Sequence, residues 1–334
     1  MRIIVPMAGM GKRLRPHTLT TAKPLLPIAG QPIVQRLVQD IVKVSQQKVE
    51  EIAYVVGRFG DEVERHLIDV AASLGAQGTI HYQDDPLGTA HAILCAKSAL
   101  HGPVTVAFAD TLFNADFELD QNNDGVLWVQ KIEDPRQFGV VVLDQNGVIS
   151  EFQEKPQTFV SDLAMIGIYY FKDGNRLREE LEYLIDNGIM NGNEYQLPDA
   201  LRNMVRKGAR FTPGTVKDWM DCGNKEAMVE TNSSYLRYHA TKEWISKNAL
   251  IENSLVIEPC YIEAGAQLRN SIVGPGVSIG SGALVENSRI SDSIVQASAT
   301  IKDARLHKAM VGKSAEITGT LNDVSLGDFS KIRL

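Results

Sequence analysis

Met7-Ala8-Gly9-Met10-Gly11-Lys12-Arg13-Leu14-Arg15-Pro16, followed at a short interval by Lys23-Pro24, decides the reading of this chain. Before it, Arg2 to Val5 is a short β-branched run, long enough for one buried strand. A strand that delivers a glycine-punctuated, cationic loop is suited to holding phosphates. Gly9 and Gly11 let backbone N–H groups close on an anion, and Arg13 and Lys23 add full charges. Two common phosphate motifs do not fit. A P-loop needs Ser or Thr after Gly-Lys and an earlier glycine, but Arg13 follows Lys12 and Pro6 stands five residues before Gly11. A dinucleotide fingerprint needs a third glycine where Leu14 stands.

Beyond the loop, strand and helix alternate. Ile33, Leu37, Val38, Ile41 and Val44 recur at helical spacing. Glu51 to Gly57 reads as a strand, Asp61 to Leu74 as a helix, Thr79 to Gln83 as a strand, Ala90 to Leu100 as a helix, and Val104 to Ala109 as a strand. The pattern predicts an α/β domain with a Rossmann-like, mixed but mainly parallel sheet and helices on both faces, with ligands at the C-terminal strand ends. Asp110 stands at such an end, where a carboxylate can hold a hard cation or merely cap a turn. Gln83-Asp84-Asp85-Pro86-Leu87-Gly88-Thr89-Ala90 leaves the third strand. Gln83 offers a donor and an acceptor and Gly88 permits close approach, although a plain turn would use the same residues.

A second block of strands begins at Val126. Phe138 to Leu143 and Val148 to Gln153 flank Asn146-Gly147, a hairpin signal, and Glu154-Lys155-Pro156 closes the hairpin. Ala164 to Phe171, containing Gly167, is another strand; two helices follow, at Asn175 to Asn187 and Leu197 to Lys207. After Trp219-Met220-Asp221-Cys222-Gly223, Asn224 is a candidate helix cap. From Asn248 onward, Ile262, Leu268, Ile272, Ile279, Leu284, Ile290, Ile294, Ile301, Leu306, Val311 and Ile317 recur at steps of about five or six among small residues. This hexapeptide repeat predicts a short parallel β-helix, with its register disturbed around Asn270, Asn287 and Ala304 by loops or skipped faces. The expected domains are 1–224, a connector 225–249 and the β-helix 250–334. A short solenoid commonly packs against another copy, so a homo-oligomer is expected.

A net charge of −7 over 334 residues argues against nucleic acid as a partner. The three cysteines, Cys95, Cys222 and Cys260, form no metal-ligand spacing and suit a reducing compartment. No apolar run approaches the ~20 residues of a membrane helix. Ile3 to Val5 is too short for a leader core. A cytoplasmic protein without membrane attachment is expected.

The opening loop resembles the signature of the sugar-1-phosphate nucleotidyltransferases, roughly G-x-G-x-R-L-x-P-x-T and then K-P. Gly9, Gly11, Arg13, Leu14, Pro16, Thr18, Lys23 and Pro24 fall in place; Ala8 and Lys12 depart, where glycine and threonine are common. The Pro86-Leu87-Gly88-Thr89-Ala90, Glu154-Lys155-Pro156 and Trp219-x-Asp221-x-Gly223 strings match further family motifs, and the tail is similar to the left-handed β-helix of long-form members. The resemblance implies transfer of a nucleotidyl group from a nucleoside triphosphate to a sugar 1-phosphate. It assigns Ala8, Gly9, Gly11, Gln83, Gly88 and Thr89 to the nucleotide, and Gly139, Glu154, Lys155 and Gly167 to the sugar phosphate. Arg13 and Lys23 serve the phosphates, and Asp110 and Asp221 ligate Mg²⁺. Gln83 and Leu87-Gly88 favour dTTP or UTP with glucose 1-phosphate, and guanylyl transfer to mannose 1-phosphate is the alternative. Two further alternatives are an acetyltransferase tail using His307, and a regulatory paralogue that binds nucleotide sugar without turnover.

Overall fold

The computed structural model of the chain describes residues 1–45, 47–115, 123–319 and 324–333. By its internal contacts the chain divides into two units, Met1–Gly9 with Leu37–Trp219, and Met10–Arg36 with Met220–Leu334.

The first unit is built on a nine-stranded sheet. β1 (Arg2–Pro6), β2 (Glu51–Val56), β3 (Gln77–Tyr82) and β4 (Val104–Ala107) are mutually parallel in the order β3-β2-β1-β4. Ile3 to Val5 and Ile52 to Val56 are buried without interruption, so these strands read as apolar runs and not as an alternation. The intervening helices are α1 (Ile33–Val44), α2 (Asp61–Ser73) and α3 (Thr89–Cys95). The expected helix to Leu100 stops earlier: after Cys95 the chain tightens into one 3₁₀ turn, Lys97–Ala99. β5 (Gly125–Lys131), β6 (Gly139–Leu143), β7 (Ile149–Glu154) and β8 (Leu163–Phe171) add the second block. β8 runs antiparallel to β4, β5 and β6, and β9 (Phe211–Thr215) runs parallel to β5. The β6–β7 turn forms where the spacing placed it: Gly147 has φ +75°, and the Asp144 carboxylate accepts the N–H groups of Asn146 and Val148. α4 (Gly174–Asp186) and α5 (Leu197–Arg206) bury Leu177, Leu181, Leu201 and Met204 in one core with Phe152, Phe171 and Phe211.

In the second unit, α6 (Lys225–Tyr238) begins at Asn224, whose side chain accepts the Ala227 N–H at 2.9 Å, as expected of a cap. Among the described residues, short strands from Leu250 onward stack into three parallel sheets of six, four and five strands, a three-sided β-helix. Leu268, Val285, Ile301 and Ile317 lie one above another and are fully buried. The coils run to 17 residues early in the stack and 16 later.

The expected interruptions at Asn270, Asn287 and Ala304 are not loops. Asn253, Asn270, Asn287 and Asp303 turn corresponding corners with φ between +45° and +52°, a conformation Asn and Asp tolerate best after glycine. Each amide donates to the next corner's side-chain oxygen, at 2.7, 3.3 and 3.1 Å. Beside this ladder, the hydroxyls of Ser254, Ser271 and Ser288 each accept a backbone N–H from the following coil at 3.0 Å, so polar groups enter the stack satisfied. Ile301→Ala, cutting the central column, is expected to cost about 2–5 kcal/mol, read as a lower urea midpoint for the loss of tail structure.

Candidate active site

In the first unit the parallel strands change direction of succession at β1, which has β2 on one side and β4 on the other. Open α/β sheets bind ligands at the C-terminal strand ends of such a switch point. Ala8 and Gly9 leave β1 there and Asp110 leaves β4. The Ala109 N–H reaches the Pro6 carbonyl at 3.5 Å, and the Phe108 N–H donates to the Gly167 carbonyl at 2.9 Å. Gly167 has φ +86° and interrupts the β8–β5 register between Met165 and Tyr169. A Cβ there would meet Phe108 and Thr111 only at ordinary contact distance, so the backbone conformation and not space calls for glycine. The Trp219 indole donates to Thr111 Oγ1 at 3.4 Å and packs edge-on to Phe138, 4.8 Å between ring centres.

The phenol of the buried Tyr169 is pushed up first by burial and then by the charges of Glu154 and Asp110, so both carboxylates lie within electrostatic reach of one buried ring. Gly139 pairs with Glu154 across the β6–β7 ladder, and a Cβ on it would fall 2.7 Å from Glu154 Oε2 and 2.6 Å from Met165 Cε. The missing side chain thus makes room for the carboxylate. Lys155 has φ +43°, and its exposed ammonium lies 3.4 Å from Glu154 Oε1. A pair this open to water contributes little stability.

The Gln83–Ala90 loop is organised from within. Gln83 Nε2 donates to the Gly88 carbonyl at 3.2 Å and lies 3.2 Å from His91 Nδ1. The Thr89 hydroxyl donates to Gln196 Oε1 and accepts the Leu197 N–H. Tyr195 bonds both sides of Gly88: its N–H donates to the Leu87 carbonyl at 2.8 Å, and its carbonyl accepts the Ala90 N–H at 2.9 Å. Sequence reasoning passed over Tyr195–Leu197, because Pro198 advertises a helix start and nothing local reports a long-range backbone pairing.

The remaining predicted residues belong to the second unit. Gly11, at φ +60°, is a folding hub: its carbonyl accepts the Thr18 hydroxyl at 2.8 Å, and a Cβ on it would lie 2.7 Å from Lys23 Cβ. Lys23 is buried, whereas Arg13 is exposed on the 3₁₀ turn Lys12–Leu14. Asp221 Oδ1 accepts the Gly223 N–H at 3.0 Å and its carbonyl accepts the Thr231 hydroxyl at 2.6 Å, which anchors it ahead of α6. His307 is exposed, with Nδ1 3.0 Å from Ser291 Oγ and 3.7 Å from Asp292 Oδ2. It borders a cavity of about 550 Å³ that also involves Lys225, Glu230, Arg237 and Asp292, where both signs of charge mix.

A strand-end carboxylate beside a glycine-rich exit from β1 suits an enzyme that handles phosphate esters. Residues 3–237 match the nucleotidyl transferase family model, and the chain belongs to that family as a sugar-1-phosphate nucleotidyltransferase. Among its relatives is a glucose-1-phosphate thymidylyltransferase of Streptomyces antibioticus, 27% identical over 363 residues and covering 100% of this chain and 99% of the relative. A mannose-1-phosphate guanylyltransferase catalytic subunit beta of Drosophila melanogaster is 33% identical over 179 residues, covering 51% of this chain and 48% of the relative. A nucleoside-diphosphate-sugar pyrophosphorylase structure from Vibrio cholerae RC9 superposes with a TM-score of 0.59 at 20% identity, covering 69% of this chain and 99% of that one, which establishes likeness of fold. Nucleotidyltransferases of this family take a nucleoside triphosphate and a sugar 1-phosphate and generally use a divalent metal. Among the described residues, no helix is long and apolar enough to cross a membrane.

Proposed function

We propose that this chain transfers a thymidylyl or uridylyl group from dTTP or UTP to glucose 1-phosphate and releases pyrophosphate. The observation that carries the reading is the strand-end carboxylate Asp110 at the switch point, next to Ala109, whose N–H reaches Pro6 at the exit of β1 into Ala8-Gly9. A phosphate oxygen of the sugar 1-phosphate attacks the α-phosphorus. The new O–P bond forms as the bond to the β-bridging oxygen breaks, and pyrophosphate leaves with that electron pair. The attacking group is already an anion, so positioning and charge neutralisation carry the catalysis. Arg13 and Lys23 hold the triphosphate with the N–H groups of Ala8, Gly9 and Gly11, and Lys155 steers the sugar phosphate. Glu154, given its place by the bare Gly139, accepts sugar hydroxyls, and the Gly167 turn lies beside the sugar phosphate.

Gln83 already gives its N–H to Gly88, so its carbonyl oxygen is the edge suited to accept a ring N–H of thymine or uracil, with Gly88-Thr89 backing the base. Asp110 and Asp221 are hard oxygen donors of the kind Mg²⁺ takes alongside substrate phosphates, and would hold it. Bound there, the cation would supply neutralisation of the α-phosphate charge. The reading keeps 1–224 as the catalytic domain, 225–249 as connector and 250–334 as the β-helix. It places the enzyme in the cytoplasm as a homo-oligomer joined through tails whose first coil exposes Leu250, Ile251 and Leu255. Guanylyl transfer to mannose 1-phosphate is the second reading, favoured by the Drosophila melanogaster relative.

Pyrophosphate release with Mg²⁺, measured for dTTP, UTP, GTP, CTP and ATP against several sugar 1-phosphates, tests both readings. Signal with dTTP or UTP and glucose 1-phosphate is the expected result. A GTP and mannose 1-phosphate signal selects the second, and silence from folded protein removes both.

A further inference from the structure

The segment Met10–Arg36 and the β-helix share one unit, and they meet at two places well separated along the tail. Near its end, His17 Nε2 lies 3.2 Å from Ser325 Oγ, and the Thr20 hydroxyl donates to Asp328 Oδ2 at 2.5 Å. Gly327 presses on Pro16 so closely that a Cβ would fall 2.9 Å from the proline Cβ. Nearer its start, the Ala29 N–H donates to Asn232 Oδ1 at 3.0 Å. Asn232 is itself tied to Gly276 and Ser278 of the tail. The Tyr261 ring occupies the space where a side chain on Gly30 would go, and the Arg36 guanidinium sits 4.8 Å from the Tyr235 ring centre. Thr18 of the Gly11–Thr18–Lys23 hub lies in sequence between His17 and Thr20.

We propose that the segment Ser325–Asp328, in a late coil of the stack, is a positioning element for nucleotide binding: it holds the Gly11–Lys23 loop in its anion-binding shape through His17 and Thr20. The inference rests on the reading of Arg13 and Lys23 as triphosphate ligands. His17 is 1% exposed, and burial pulls it down to about 4 against an opposing pull from Asp328, while Lys225 adds to the depression. The imidazole is therefore neutral at working pH and acts as a hydrogen-bonding strut, not a charge.

The test uses the full-length chain carrying Ser325→Ala with Asp328→Ala, assayed with the nucleoside triphosphate that supports turnover. The expected result is a roughly tenfold rise in nucleotide KM with the sugar 1-phosphate KM unchanged. Trypsin should also cut faster after the exposed Lys12 and Arg13. Asp328→Asn, which keeps an oxygen for the Lys313 N–H and an amide that the Thr20 hydroxyl can meet, should behave as the parent. Unchanged cleavage and unchanged nucleotide KM overturn the proposal. So does a parallel rise in both KM values with a lowered melting temperature, which is general loosening. Faster cleavage with an unchanged nucleotide KM overturns it too, and locates the failure in the loop's assignment to the triphosphate.

Discussion

Asp110→Asn is expected to lower turnover by at least about 100-fold while leaving the fold intact. The substitution keeps size and shape at the end of β4, so packing around Ala109 and Phe108 has no reason to change. What it removes is the negative charge that, with that of Glu154, raises the Tyr169 phenol. In a displacement where no side chain forms a bond, charge placement is most of what the protein contributes, and transition-state partners of this kind are worth two to three powers of ten. The check is the initial rate of pyrophosphate release at saturating substrates, with circular dichroism and melting temperature as controls. A rate within a factor of about three of the parent, from folded protein, would remove Asp110 from the reaction.

Gly88→Val is expected to raise the nucleotide KM more than tenfold and to lower the melting temperature. Even the first carbon of the new side chain would stand 2.4 Å from the Tyr195 carbonyl oxygen and 2.7 Å from its nitrogen, both backbone atoms that cannot swing aside. The glycine also has φ +111°, where a β-branched residue is strained. Strain and overpacking together come to about 2–6 kcal/mol. The cheapest relief is to break the Leu87–Tyr195–Ala90 pairing and release the loop that presents Gln83. Steady-state kinetics for both substrates separate the outcomes, and a nucleotide KM equal to the parent's would take the loop out of base recognition.

Much of this architecture was open to reading before any coordinates, because the deciding signals are local. The uninterrupted apolar runs of β1, β2 and β4, the Asn146-Gly147 turn and the Asn224 cap each express a short-range rule, and each forms as expected. The β-helix was legible for the same reason, since one apolar residue per face recurs at a short period. What escaped was long-range. The corners at Asn270 and Asn287 look like broken register in one dimension, and only stacking shows them as rungs of a ladder. Tyr195 acts through backbone atoms, which carry no sequence signature. His17 sits at a variable place inside the loop motif, and its partner Ser325 lies 308 residues away. Asp110 and Glu154 stand 44 residues apart, and that both bear on Tyr169 follows only from the sheet order, which sets β4 and β6 on either side of β8.

A stacked solenoid is ordinarily free to gain or lose coils in evolution, since each coil touches only its neighbours. The contacts of Ser325 and Asp328 withdraw that freedom here. One coil more or fewer would carry them by about 4.8 Å, the spacing of adjacent strands, and leave His17 and Thr20 without partners. The tail is thus a ruler cut to one length. Natural variation in its coil number should be accompanied by a changed loop sequence between Pro16 and Thr20.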